Sequence, residues 1–242
     1  MNFVLIHGGF HGGWCWRLVA ARLRALGHTV THPTHTGMGE RRHLLRPDLS
    51  LDTFVADLVN HLETEELADV VLVGHSFGGL SISGAADRVP HLIRHLVYLD
   101  SLIVQPGQTP FGALPPEVVA QRRQSCIEFD GVRCFPPLPV TAFGIPSDHP
   151  HAAWVQRRLS PQPESVSLSP LNLANPVGNG LPRTYVACTQ PQLAAVASSQ
   201  AWVKSQPGWQ WRELQACHDV MITEPDQLSA LLVEIPLQGR LA

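Results

Sequence analysis

The residues best suited to chemistry stand in Gly74-His75-Ser76-Phe77-Gly78. A serine spaced this way between two glycines fits a nucleophile elbow, the sharp turn that lifts a hydroxyl above the edge of a sheet. The glycines have a steric purpose, since Cβ atoms there would collide where strand and helix converge, while Ser76 itself is expected in strained backbone geometry. A neutral serine hydroxyl is a poor nucleophile and needs a base with a near-neutral pKa, for which histidine is the natural choice. Of the thirteen histidines, His218 has the right place, just past the last strand pattern and before a final helix. A second glycine-rich segment, His7-Gly8-Gly9-Phe10-His11-Gly12-Gly13-Trp14, follows the first strand pattern. Its backbone N–H groups at Gly9 or Phe10, with that of Phe77, could hold an oxyanion.

These groups need a scaffold, and the hydrophobic pattern supplies one. Residues 3–6, 28–32, 70–73, 93–99, 184–188 and 209–214 read as strands, several of them apolar throughout. Helical spacing appears between them: Trp16, Val19, Leu23 and Leu26 on one face with Gly27 as cap, then Leu51, Phe54, Val55, Leu58 and Leu62 behind an N-cap at Ser50. Later helices are expected over 193–204 and, from a Thr223–Asp226 capping box, through residue 233. Alternating strands and helices imply an α/β fold, a roughly six-stranded, mostly parallel sheet with helices on both faces. Residues 102–181 break the pattern with dense proline. That density excludes long strands but permits short helices near 117–125 and 152–159. The division expected is a core of residues 1–101 and 182–242 with 102–181 folded over the site as a cap.

Composition narrows the function classes. The 242 residues carry a formal net charge of −3 and 44% hydrophobic residues. Such a balance argues against nucleic acid or an anionic membrane as the partner. No apolar run approaches a membrane span, and no basic-then-apolar leader opens the chain. Five unpatterned cysteines suit reduced thiols, so a cytoplasmic location is expected. His32-x-x-His35 invites a metal reading, but it surrounds Pro33 and has no cysteine or carboxylate at ligand spacing. Neither a metal nor an organic cofactor is expected.

Taken together, the elbow, the His-Gly-Gly loop, Gly37-Met38-Gly39, Tyr98-Leu99-Asp100 and His218 resemble an α/β-hydrolase. More narrowly, the chain resembles the plant methylesterase and hydroxynitrile lyase group and its bacterial esterase relatives, some of which cleave methyl carbamates. The resemblance implies a Ser–His–acid triad, with the acid just after the penultimate strand. Here that place reads Cys188-Thr189-Gln190-Pro191, without a carboxylate. Asp100 ends the preceding strand at the same edge and keeps the order serine, acid, histidine, so it is taken as the orienting acid. Asp219 neighbours the base, but its side chain should point away from the imidazole. The lyases of the group resemble one another in a threonine after the first-loop histidine and a lysine after the catalytic one. Gly8 and Asp219 stand at those places, and an aspartate would repel a departing cyanide. The reading is therefore a serine hydrolase acting through an acyl-enzyme on a small ester or carbamate, aromatic or heteroaromatic in kind. A small-ligand receptor on the same fold is the alternative. Met38, Phe143 and Trp154 are expected around the substrate pocket. A cysteine nucleophile at Cys217 is disfavoured, because no elbow surrounds it.

Overall fold

The computed structural model describes residues 1–238. Its strands are β1 (Asn2–Ile6), β2 (Thr29–Thr31), β3 (Val70–His75), β4 (Ile93–Leu99), β5 (Ile127–Phe129), β6 (Val132–Phe135), β7 (Gln162–Pro163), β8 (Arg183–Cys188) and β9 (Gln210–Leu214). Six of them make one sheet in the order β2-β1-β3-β4-β8-β9, with every neighbouring pair parallel. All the carboxyl ends therefore lie along one edge. The chain steps outward from β1 to β2, then returns to build the other half from β3 onward. The crevice at that reversal lies between the ends of β1 and β3, where open α/β sheets bind ligands. The His-Gly-Gly loop leaves β1 there, and the elbow leaves β3.

Helices cover both faces, as the alternation of residues along the strands requires. Phe3, Leu5, Val71 and Val73 pack with Val19 and Leu23 of α1 (Arg17–Ala25) and with Leu228 and Leu232 of the last helix. Val4, Ile6, Val70 and Leu72 face the other way, onto Leu58 of α2 (Leu51–Thr64), Ile82 of α3 (Gly78–Arg88) and, farther along the sheet, the same cluster's Val203. Ser50 caps α2 in a reciprocal box with Thr53. Two local expectations differ. Leu26 is 61% exposed, because α1 ends at Ala25 and the chain turns away through Gly27 at φ +81°. The Thr223–Asp226 box does not form either. Asp226 instead pairs with Arg22 of α1, and the helix divides around Glu224.

Residues 102–181 hold α4 (Pro116–Gln124), α5 (Ala152–Gln156), α6 (Glu164–Leu168) and a small antiparallel sheet in the order β5-β6-β7. The β5–β6 hairpin turns through Asp130-Gly131, both at positive φ, the geometry a two-residue turn demands. Although α4 buries none of its residues, Val140, Phe143, Ile145, Val155 and Leu159 join the main core cluster. The chain re-enters the large sheet at β8, followed by α7 (Ala197–Ser205), β9, α8 (Val220–Thr223) and α9 (Pro225–Gln238).

Candidate active site

Ser76 sits at φ +51° between β3 and α3, the left-handed conformation that a serine adopts only when its surroundings impose it. Its amide donates to the Leu99 carbonyl, and its carbonyl accepts from Leu102 N–H at 2.9 Å and from the Ser101 hydroxyl at 2.7 Å. The turn is possible because a Cβ at Gly74 would come within 2.8 Å of the Gly78 carbonyl oxygen, and one at Gly78 within 2.7 Å of that of His7. Both are backbone oxygens that cannot move aside.

His218 follows β9 and is buried. Its Nδ1 lies 2.7 Å from Oδ2 of Asp100, so the imidazole donates to the carboxylate. Asp100, itself at φ +39°, is fully buried at the end of β4. Its other oxygen accepts from the Cys188 amide at 3.2 Å and from Nε2 of Gln200 at 3.0 Å. The strand end without a carboxylate thus supplies an N–H group to the carboxylate of its neighbour. A buried charge is tolerable when it is hydrogen-bonded in this way.

His75, the residue before the serine, holds His218 from behind. Its Nε2 donates to the His218 carbonyl at 3.0 Å, and the two rings lie 4.4 Å apart. Desolvation by burial, reinforced by His218 and His11 nearby, keeps the His75 pKa well below its ordinary range. The ring is neutral and serves as a strut.

Ser76 and His218 face one cavity of about 480 Å³, whose lining includes Gly9, Phe10, Phe77 and Phe143. That size falls within the usual range for small-molecule sites. Leu102, Val104, Phe111, Leu114, Val118 and Phe135 extend the apolar wall. Two of the pocket residues expected from sequence lie elsewhere. Met38 is 1% exposed and packs with Leu49, Leu51, Phe54 and Phe77 in a separate core cluster. Trp154 stands edge-on to Trp14 at 5.2 Å, beneath the Arg158 guanidinium, and does not line the cavity. Both are apolar side chains drawn into packing, where an unfilled surface would otherwise remain.

Cys217 also lies outside the cavity lining. Burial raises its thiol pKa, an effect that a contact with the Thr223 hydroxyl at 3.3 Å only partly offsets. His35 contacts Ser81 through Nε2 and stacks on Phe54, which accounts for its ring without an ion. Among the described residues, the atoms of His75, His218 and Asp219 lie close enough together to gather around a metal. Hydrogen bonds already engage these side chains: His75 with the His218 carbonyl, His218 with Asp100, and Asp219 with His11.

Several functional neighbours escaped the sequence reading. His11 lines the cavity and bonds to Asp219, a partner for that carboxylate that had not been foreseen, while Asp219 stays close to His75 and His218. The signal was present, as a second histidine in the His-Gly-Gly-Phe-His loop. Gln200, on the far side of Asp100, gave no local signal.

Residues 3–231 match the Alpha/beta hydrolase family, and the chain belongs to it. It is an enzyme of the hydrolase class, as this fold and the relatives together establish. A carbendazim hydrolyzing esterase of Nocardioides sp. (strain SG-4G) is 38% identical over 243 residues, covering 97% of this chain and 99% of that protein. Methylesterase 7 of Arabidopsis thaliana is 30% identical over 258 residues, covering 97% and 95%. Among solved structures, an extracellular alpha/beta-hydrolase from a Paenibacillus species has a TM-score of 0.79 at 24% identity, covering 97% of this chain and 98% of that one. Among the described residues no helix is long and apolar enough to cross a membrane.

Proposed function

We propose that this chain is a serine esterase that cleaves small, flat methyl esters or methyl carbamates, carbendazim among them, through an acyl-enzyme on Ser76. The observation that carries the reading is the 2.7 Å contact between Nδ1 of His218 and Asp100, with His218 facing the same apolar cavity as Ser76. The contact leaves Nε2 as the nitrogen free to take the serine proton. Ser76 Oγ attacks the carbonyl carbon as His218 removes its proton. The oxyanion of the tetrahedral intermediate is held by the N–H groups of Phe10, or Gly9, and Phe77. His218 then protonates the departing methoxide, and water, activated by the same base, releases the acyl group. No metal or organic cofactor takes part in these steps. Residues 102–181 act as a cap, since Phe111, Leu114, Val118 and Phe135 close the acyl pocket with apolar surface. A flat aromatic substrate fills such a space with few rotors to freeze. The Nocardioides relative, whose name records carbendazim hydrolysis, supports the carbamate, and the Arabidopsis methylesterase supports the methyl ester.

The test is turnover of carbendazim, methyl esters and p-nitrophenyl acetate, with intact-protein mass spectrometry on a slow carbamate to catch the acyl-enzyme. An adduct on Ser76 that is lost in Ser76→Ala is the expected result. Ser76→Ala and His218→Ala should each cost about six orders of magnitude in kcat, and the pair little more, because triad members act as a unit. Turnover that survives Ser76→Ala would sink the proposal.

A further inference from the structure

Residues 102–181 send a buried polar side chain into the cavity without a partner of its own. Gln162 stands between Pro161 and Pro163, and the proline that follows it keeps its backbone extended. In β7 it lies opposite Phe135 of β6, and directly opposed residues of an antiparallel pair project from the same face. Both line the cavity that Ser76 and His218 face. Gln162 is only 5% exposed, yet among the described residues its carboxamide has no hydrogen-bond partner. Ser199, on the same wall, shows the ordinary outcome, its hydroxyl bonding to the backbone of Ile103. Buried polar groups are nearly always paired, because burial without a partner costs free energy that an apolar residue would not lose.

The amide is also close to the nucleophile. A Cβ on Gly9 would fall on Oε1 of Gln162, so the amide rests against the Cα of Gly9. A Cβ on Gly8, one residue earlier, would come within 2.8 Å of the Cβ of Ser76. Consecutive Cα atoms are only about 3.8 Å apart. The loop after β1 thus touches the serine with one residue and the glutamine amide with the next. An acyl group that starts at Ser76 has this amide beside its first atoms.

We infer that Gln162 is a specificity-determining residue whose carboxamide hydrogen-bonds the N–H of a carbamate and so favours carbamates over carboxylic esters of the same shape. The inference rests on the serine-esterase reading and deepens it by choosing between its two substrate classes. A carboxamide sets an accepting oxygen beside a donating NH2. A methyl carbamate has an N–H next to its carbonyl to give to the oxygen. On a nitrogen heterocycle it also has a ring nitrogen that can accept from the NH2. A carboxylic methyl ester has only carbon at that place and leaves the amide unpaired. Sites built to hydrogen-bond a substrate reject analogues that lack the bonding group for this reason.

The test compares methyl N-phenylcarbamate with methyl phenylacetate, which differ only by N–H against CH2. Gln162→Met keeps the length of the side chain and removes both polar ends. It should lower kcat/KM on the carbamate by about five- to fiftyfold, because the substrate N–H is then buried without an acceptor. On the phenylacetate kcat/KM should stay within about threefold of the unaltered enzyme. Taking the ratio of the two substrates in each protein cancels their different intrinsic reactivity. An equal loss on both substrates would mean that Gln162 only holds the wall in place, and would overturn the inference. So would an unchanged carbamate rate.

A second measurement does not depend on the folding of the methionine variant. In Ser76→Ala, which keeps Gln162, the carbamate should bind about three- to tenfold more tightly than the phenylacetate, as one net hydrogen bond allows. Equal affinities there would overturn the inference while leaving the serine mechanism intact. Turnover surviving in Ser76→Ala would overturn it together with the reading it rests on.

Discussion

The carboxylate of Asp100 joins two strand ends: Oδ2 accepts from Nδ1 of His218 at 2.7 Å, after β9, while Oδ1 accepts from the amide of Cys188, at the end of β8. One side chain thus ties together the edge on which His218 is mounted. Asp100→Asn nearly keeps the shape but presents an amide that can donate, which favours the wrong imidazole tautomer. A comparable change in a serine protease costs about four orders of magnitude. A loss of about a hundred- to ten-thousandfold in kcat near neutral pH is expected here, with partial recovery at alkaline pH. A pH–rate profile of the variant on p-nitrophenyl acetate checks it, and a loss under tenfold would show that another group orients His218.

Gln200 is the support behind that carboxylate. Its Nε2 donates to Asp100 Oδ1 at 3.0 Å, and its own Oε1 accepts from Gln192 at 2.6 Å. Hydrogen bonds to charged groups are worth roughly 1.5–3 kcal/mol. Gln200→Leu should lower stability by about that amount and reduce kcat several-fold, with substrate KM little changed. Denaturant unfolding alongside steady-state kinetics measures both. A variant that loses stability but keeps full kcat would limit Gln200 to a packing role.

What the sequence made legible follows from what is local. Val70–His75 and the glycines around Ser76 carry strand, turn and helix within about a dozen residues, so the elbow could be read without tertiary information. The same holds for the Ser50 cap. Asp100 could be reached only by excluding the carboxylate-free end of β8, and the fact that decides it, the closeness of the β4 and β8 ends, belongs to the sheet order. Met38 and Trp154 were misplaced for a related reason. An apolar residue near a site in sequence has no mark that separates a pocket wall from core, and both found partners in packing clusters. Asp130-Gly131 was the opposite case, a clear local hairpin signal overlooked amid the surrounding prolines.

The elbow's geometry gives a sharper test than the motif does. A Cβ placed on Gly78 lies 2.7 Å from the His7 carbonyl oxygen and 2.9 Å from that of Ile6. Both belong to the β1 end and the loop proposed to supply an oxyanion donor, so relief of the clash must push that loop outward. Overpacking of this sort costs roughly 1–3 kcal/mol. Gly78→Ala should lower Tm and also depress kcat on every ester tried by a similar factor, since the donor is displaced whatever the acyl group. Gly107→Ala is the control, with nothing within 4 Å of the added Cβ, although its φ of +79° brings some backbone strain of its own. It should leave kcat as it was. Substrate-selective loss in Gly78→Ala would contradict this account.

The buried histidines set the pH range in which the fold survives. Burial holds His7 and His95 at about 4 instead of 6.5, and holds His35 and His75 well below their ordinary value. In each case the unfolded chain takes up a proton between pH 6.5 and the folded pKa while the folded protein does not, so stability falls as pH falls through that window. A histidine held at about 4 costs the fold roughly 3 kcal/mol by pH 4. His11 has the opposite sign: its raised pKa stabilises the fold fully below pH 6.5, and that contribution is lost as pH rises through the folded value. Stability should therefore drop steeply from pH 6.5 to 4 and decline gently on the alkaline side. His95, whose ring bonds to the Thr184 hydroxyl at 2.9 Å away from the cavity, isolates one share of the acid limb. His95→Gln keeps a polar partner for Thr184 but cannot titrate, so the fall in unfolding free energy between pH 6.5 and 4 should shrink by about 3 kcal/mol. Urea unfolding at half-unit pH intervals measures it, and an unchanged slope in the variant would mean that His95 is protonated in the folded enzyme.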